Sequence, residues 1–252
     1  MTGKVIGIGI GPGDPELITI KALKVLKTAD VICVPKAHME KPSIALSMVK
    51  HILEEREKYP EVIELIFPMM KDEFELKRLL DRNAKIVAEK AKKCNTLAFI
   101  TLGDPFFYST FIYLYHNLKE MYPEIELEII PGITSLTACS ASSRIPLAEK
   151  NETVIIIPSN ISSNQIEEIA KYADNLVFMK GTKNIKDLVP ILERVGFTKN
   201  STIIFAKRCT MPEEKVIIGK LSDVKNWDIY EDYFSMVIIK RSKFQSNKNR
   251  DE

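Results

Sequence analysis

Asp14 and Asp104 each stand between a glycine and a proline at the end of an apolar run. The runs read Ile6-Gly7-Ile8-Gly9-Ile10-Gly11-Pro12-Gly13-Asp14-Pro15 and Phe99-Ile100-Thr101-Leu102-Gly103-Asp104-Pro105. An apolar run that stops at glycines and then feeds an amphipathic stretch predicts strand, tight loop, helix. Backbone N–H groups and the positive end of the helix dipole meet at such a junction and hold small polar or anionic groups. Two such junctions imply one ligand gripped from two loops. An aspartate before a proline at a helix start has two readings, a helix cap or an acceptor facing a ligand's amine or ribose, and both stay open for Asp14 and Asp104.

The spacing excludes several common chemistries. A dinucleotide fingerprint needs Gly-x-Gly-x-x-Gly; counted from Gly7 its last position is Pro12, and counted from Gly9 it is Asp14. Asp30 precedes its strand instead of ending it, and no Gly-Lys-Ser/Thr follows the glycines as a phosphate loop requires. Ser109, Thr110, Ser140, Ser142 and Ser143 have no histidine beside them in sequence to serve as a base. His51 and His116 fall within helical patterns, whereas His38 follows a strand and is a candidate for substrate contact. Cys33, Cys94, Cys139 and Cys209 are scattered singly, so buried thiols are expected, with neither a disulfide framework nor a metal site.

The elements that must position the two turns alternate regularly through the first half. Strands are expected at 5–10, 31–34, 62–66, 97–101 and 125–130, with helices at 17–28, 43–58, 72–92 and 108–121. That alternation predicts a mostly parallel sheet with helices on both faces, and ligands bind such sheets off the carboxyl ends of the strands. Pro131-Gly132 and Arg144-Ile145-Pro146 interrupt the pattern. An N-terminal α/β domain is therefore expected over 1–131 and a C-terminal α/β domain over 132–241, with a polar, frayed tail after Lys240. In the second half, strands at 153–157, 176–179, 202–205, 215–218 and 234–239, with helices at 165–172 and 185–195, predict a mixed or antiparallel sheet.

The chain has 252 residues, 45% apolar and 28% charged, the composition of an ordinary globular protein with a net charge of +2. That balance argues against nucleic acid as a partner. No apolar stretch approaches the roughly 18 residues a membrane span needs. With the first strand beginning by Val5, a cytoplasmic protein without a leader is expected.

Four segments together carry a family resemblance. They are Gly9-Ile10-Gly11-Pro12-Gly13-Asp14-Pro15-Glu16-Leu17-Ile18-Thr19, Ala29-Asp30-Val31-Ile32, Gly103-Asp104-Pro105, and Pro131-Gly132-Ile133-Thr134-Ser135 with Ile145-Pro146-Leu147. In this order they strongly resemble the tetrapyrrole methylases, two-domain α/β enzymes that use S-adenosylmethionine (SAM) and are usually homodimers. Phe106-Phe107-Tyr108-Ser109-Thr110 after the second turn resembles the branch that methylates C-20 of precorrin-2 or cobalt-factor II. Siroheme-forming relatives carry an acidic residue where this chain has Pro35 and Lys36, which argues against methylation at peripheral pyrrole positions.

The resemblance implies SAM in the cleft between the domains, touched by Pro12, Leu102, Gly103, Asp104, Phe107, Tyr108, Thr134 and Ser135 from the first-domain motifs. Lys180, Ala206 and Cys209 would frame the adenine from the second domain. A polycarboxylate tetrapyrrole calls for cations, and Lys36, Arg144, Lys150, Lys207 and Arg208 adjoin the motifs. The sulfonium is an activated methyl donor and a meso carbon is itself nucleophilic, so aligning the two is the protein's main task. Asp104, Tyr108 and His38 are the candidates for taking a proton afterwards. Cobalt-factor II, the metallated substrate, is favoured over metal-free precorrin-2, the cobalt arriving inside the ring. The rivals are a same-fold SAM enzyme acting on another tetrapyrrole or a macromolecule, and a non-catalytic sensor that binds SAM or a tetrapyrrole without turnover.

Overall fold

The computed structural model describes residues 3–38, 40–68, 72–158, 161–179, 185–229 and 233–243. They fall into two compact units, Met1–Ser135 and Leu136–Glu252.

The first unit is built on five parallel strands: β1 (Lys4–Gly9), β2 (Val31–Lys36), β3 (Glu61–Ile66), β4 (Leu97–Thr101) and β5 (Glu126–Ile130). Their order across the sheet is β3-β2-β4-β1-β5. Successive side chains of a strand point to opposite faces, and here both faces are covered. Ile6, Ile8, Ile32, Val34, Ala98 and Ile100 pack under α1 (Ile20–Thr28) and α2 (Ile44–Glu54). Their neighbours Val5, Val31, Cys33, Leu97 and Phe99 pack under α3 (Glu73–Ala91) and α4 (Phe111–Met121) on the other face. Burial on both sides is why the inner strands β1, β2 and β4 read as apolar runs, while the edge strands β3 and β5 carry glutamates. Each fully buried Ile, Leu or Phe contributes about 1.5–3 kcal/mol, so the two faces outweigh any local preference of the loops between them.

The starts of α1, α2 and α3 carry side-chain caps. Thr19 Oγ1 accepts from Ala22 N–H at 3.2 Å, Ser43 Oγ from Leu46 N–H at 3.3 Å, and Asp72 Oδ1 from Phe74 and Glu75 N–H at 3.0 Å each. The expected helix from Leu17 is instead a 3-10 turn at Pro15–Leu17 followed by α1 from Ile20. The one expected from Tyr108 begins at Phe111, because Tyr108 has a left-handed backbone, φ 51°.

The second unit opens with a helix that the sequence pattern does not signal, α5 (Ser135–Ser143). Then come β6 (Val154–Pro158), α6 (Ser163–Ala170), β7 (Asn175–Met179), α7 (Ile185–Arg194), β8 (Ser201–Lys207), β9 (Lys215–Lys220) and β10 (Ser235–Lys243). The sheet order is β6-β7-β10-β8-β9, with β6 and β7 parallel and the remaining pairs antiparallel, so the sheet is mixed. Its core holds Ile157, Leu176, Phe178, Leu192, Phe197, Ile203, Phe205, Val237 and Ile239.

The expectation of a frayed chain after Lys240 is corrected for Arg241–Lys243, which continue β10. The Arg241 guanidinium donates to Ala170, Ala173 and Val195 carbonyls at 2.9–3.1 Å and lies 4.5 Å over the Phe197 ring. A cation satisfying carbonyls at the ends of α6 and α7 is favourable both as hydrogen bonding and against the helix dipoles.

Candidate functional site

The chain leaves β1 toward the α1 face and leaves β4 toward the α4 face, so the carboxyl ends of these two neighbouring strands are the switch point of the sheet, where such sheets bind ligands. There the two parallel strands turn toward each other. Ile10 N–H donates to Thr101 O at 2.9 Å, and Gly11 and Gly103 form an isolated antiparallel bridge, Gly103 N–H donating to Gly11 O at 2.7 Å. Both glycines have left-handed backbones, φ 79° and 67°.

The end of β5 joins them through contacts too close for any side chain. A Cβ on Gly9 would stand 2.5 Å from Gly103 O and 2.7 Å from the Gly132 backbone. Asp104 completes the junction. Its Oδ1 accepts from Phe106 N–H at 2.8 Å and its Oδ2 from Gly132 N–H at 3.0 Å. Asp14 makes the equivalent first bond, Oδ1 accepting from Glu16 N–H at 2.8 Å. The capping role holds for Asp14, which starts the 3-10 turn Pro15–Leu17; no helix starts at Asp104, whose Oδ1 closes a turn and whose Oδ2 cross-links two strand ends.

Behind the second turn, Thr101 Oγ1 and Ser109 Oγ share a buried hydrogen bond of 3.0 Å, and Ser109 Oγ accepts from Phe111 N–H at 3.1 Å. Phe107 and Tyr108 meet edge to face with centroids 4.9 Å apart, Tyr108 exposed and Phe107 half-buried. Of the expected cofactor residues, the structure thus gathers Pro12 (buried) and Leu102, Gly103, Asp104 and Phe107 (half-buried), with Tyr108, on one edge of the first sheet. Thr134 and Ser135 follow β5 and its Pro-Gly turn. His38 is exposed beyond the end of β2 on the same edge. Lys36, at the end of β2, has a nearly buried side chain whose Nζ is 2.9 Å from Glu64 Oε2.

In the second unit, Ala206 is buried on β8 and Cys209 is buried just beyond it, while Lys180 lies outside the described residues. The Cys139 thiol on α5 has the Cys209 thiol as its neighbour, and this neighbour together with burial pushes its pKa far above the usual thiol range. Glu214 further ties α5 to the same loop, accepting from Ser142 Oγ at 3.1 Å and from Thr210 N–H. Lys207 ends β8, and Arg208 Nη1 is 3.5 Å from Glu213 Oε2. Arg144 and Lys150 are exposed on either side of the Ile145-Pro146-Leu147 segment.

Five non-glycine residues have left-handed backbones among the described residues: Tyr108, Arg144, Lys150, Arg208 and Thr210. Such residues are uncommon and cluster at functional sites, and the first four are sequence-derived site candidates. Gly9 and Gly132 lie within the sequence motifs, but only the structure shows their close approach, and no sequence signal marks Cys139. Among the described residues no three His, Cys, Asp or Glu side chains gather into a metal site, and no helix is long and apolar enough to cross a membrane.

Residues 4–225 match the family model described as Tetrapyrrole (Corrin/Porphyrin) Methylases. The chain is 39% identical to a protein of Methanocaldococcus jannaschii named "Probable cobalt-precorrin-2 C(20)-methyltransferase", covering 95% of this chain and 97% of that one. It is 30% identical to the cobalt-precorrin-2 C(20)-methyltransferase of Salmonella typhimurium, over 96% and 98% of the two chains. Among solved structures, the cobalt precorrin-4 methyltransferase CbiF superposes with a TM-score of 0.71 at 20% identity, covering 94% of each chain. A uroporphyrin-III C-methyl transferase of Thermus thermophilus, complexed with S-adenosyl homocysteine, superposes at 0.66 with 22% identity, covering 94% of this chain and 97% of that one.

Proposed function

Since the chain belongs to the tetrapyrrole (corrin/porphyrin) methylases, as the match over residues 4–225 establishes, we propose that it transfers a methyl group from SAM to C-20 of cobalt-factor II in cobalamin biosynthesis. The observation that carries this reading is the 39% identity, along nearly the whole of both chains, to a relative named for C-20 methylation of a cobalt-bound ring. The same name supports the metallated ring over metal-free precorrin-2.

The first-unit edge fits a nucleoside-type methyl donor. The position of a Cβ on Gly103 has nothing nearer than Ile133 O at 4.0 Å, so the backbone there presents an open face. The Asp104 carboxylate accepts two backbone bonds, and a carboxylate has about four acceptor sites, which leaves two for ribose hydroxyls or an amine. Pro12, Leu102, Gly103 and Asp104 would hold the methionyl and ribose parts, with Thr134 and Ser135 following β5. Phe107 and Tyr108 offer aromatic faces that attract a cation. Lys180, Ala206 and Cys209 would border the adenine. When bound, SAM supplies a methyl group already activated by its sulfonium.

The residues then bind, align and exclude water. Each Asp104 oxygen accepts one backbone N–H, so the carboxylate holds the two loops in register and turns its remaining acceptor sites to the cofactor. Tyr108 and His38, both exposed, remain the proposed acceptors for the C-20 proton. Lys36, paired with Glu64, and Arg208, paired with Glu213, would join Arg144, Lys150 and Lys207 in contact with substrate carboxylates. The same reading takes the working form as a cytoplasmic homodimer.

The test is an anaerobic incubation with methyl-labelled SAM, offering cobalt-factor II and precorrin-2 in parallel and locating the label by mass spectrometry and NMR. Label at C-20, faster on cobalt-factor II, is the expected result. SAM binding without label on either ring would overturn the assignment and favour a sensor.

A further inference from the structure

Lys240 ends the apolar run of β10, where a lysine ordinarily marks the exit of a strand into water. Here it is 4% exposed. Its Nζ donates to Pro146 O at 2.8 Å and Leu147 O at 3.3 Å, and lies 3.2 Å from Glu152 Oε2. An ammonium has three donors, and all three are used on one short segment. Glu152 Oε2 also accepts from Glu149 N–H and from Asn175 Nδ2, at 3.0 Å each. Ser140 Oγ donates to Ile145 O at 2.6 Å. The backbone is thus fastened at residues 145, 146, 147 and 149.

The two ends of that fastened stretch are Arg144 and Lys150, with φ 56° and 49°. Both are exposed cations in a backbone state that side chains rarely adopt. Released from its anchors, the segment would return to ordinary backbone states and the two side chains would lose their fixed bases. Stability alone gives a weak account of the buried lysine, since replacing a buried ion pair with an apolar side chain of similar size is often neutral or stabilising.

We propose that Lys240 is a positioning residue for substrate recognition: by fastening residues 146 and 147 directly and 149 through Glu152, it sets Arg144 and Lys150 as a two-point clamp for side-chain carboxylates of the tetrapyrrole. The inference rests on the reading of the substrate as a polycarboxylate ring.

The test measures steady-state kinetics of the wild-type protein, K240M, K240R, R144Q/K150Q and K240M/R144Q/K150Q with cobalt-factor II and SAM under anaerobic conditions. Losing the clamp should raise KM for the ring about tenfold in K240M, the size of one charge-assisted contact, with kcat and KM for SAM changed less than about twofold. K240R should recover part of the loss. K240M should add little in the R144Q/K150Q background, because the two changes remove one interaction. Folded K240M with an unchanged KM for the ring overturns the inference, as does an equal rise in both KM values. If K240M does not fold, an unchanged KM for the ring in R144Q/K150Q overturns it instead. A wild-type protein that methylates neither ring overturns the functional reading and this inference with it. An active wild-type protein with no KM effect in the variants removes the inference alone.

Discussion

The Asp104 carboxylate ties the end of β4 to the first residues beyond β5, its Oδ2 accepting from Gly132 N–H at 3.0 Å while Oδ1 holds Phe106 N–H at 2.8 Å. Asn in its place offers one acceptor oxygen where two are used, and turns an N–H₂ toward a backbone donor. D104N should therefore lose about 1–3 kcal/mol in urea unfolding and bind SAM more weakly by calorimetry. In D14N the amide oxygen can still accept from Glu16 N–H, so the cost should be smaller. Equal stability in D104N and the wild-type protein would contradict the cross-link.

The glycines of this junction are irreplaceable for two different reasons, and alanine separates them. In G9A the new methyl would stand 2.5 Å from Gly103 O, against backbone that has no rotamer to yield. Overpacking of this kind costs about 1–3 kcal/mol or more, read as a lower melting temperature. In G103A the methyl meets open space, and the penalty is the left-handed backbone at φ 67°, about 1–2 kcal/mol. G103A should stay folded yet lose SAM affinity disproportionately, because its methyl projects into the face proposed for the ligand.

Thiol reactivity tests the packing of both units at once. Cys33, Cys139 and Cys209 are buried and Cys94 is half-buried. Desolvation raises the Cys94 thiol above its ordinary value, and burial does the same more strongly to Cys33. A thiol reagent near neutral pH should therefore modify at most Cys94 in the native protein, slowly, and all four cysteines after denaturation. Rapid native modification of Cys139 or Cys209 would contradict the closed contact between α5 and the loop after β8.

The inner strands were legible because they are buried and so written as apolar runs, the edge strands β3, β5 and β9 by their Val, Ile and Leu alone, and the two Gly-Asp-Pro turns stood out just after the runs of β1 and β4. Ser135–Ser143 was not legible as a helix: Leu136, Ala138 and Cys139 are buried, but serines and alanines interrupt any apolar stripe. Tyr108 looked like the start of α4, and only its left-handed backbone shows that the helix waits for Phe111. Lys240 is the sharpest case. Its partners Pro146 and Leu147 lie 94 and 93 residues earlier in the chain, and no local pattern marks a lysine whose acceptors come from so far away. The closeness of Gly9 to Gly132 is hidden for the same reason.

The Glu152 carboxylate links that hidden network to acid stability. The amide of Asn175, then the Glu149 N–H and the Lys240 ammonium, hold its pKa below the ordinary glutamate value, outweighing the opposing effect of burial. Between the depressed folded value and the unfolded value of about 4.3, the unfolded chain binds a proton that the native chain does not, so stability rises with pH across that window. The contribution is fully present above the unfolded pKa and is lost as pH falls through the folded one. E152Q, which keeps the shape and removes the titration, should be less stable than the wild-type protein at neutral pH, and the gap should narrow as the pH drops below about 4. Urea unfolding at matched pH values for the two proteins measures this directly. A gap that stays constant with pH would mean that Glu152 contributes through packing, and that its charge does not stabilise the segment between Arg144 and Lys150.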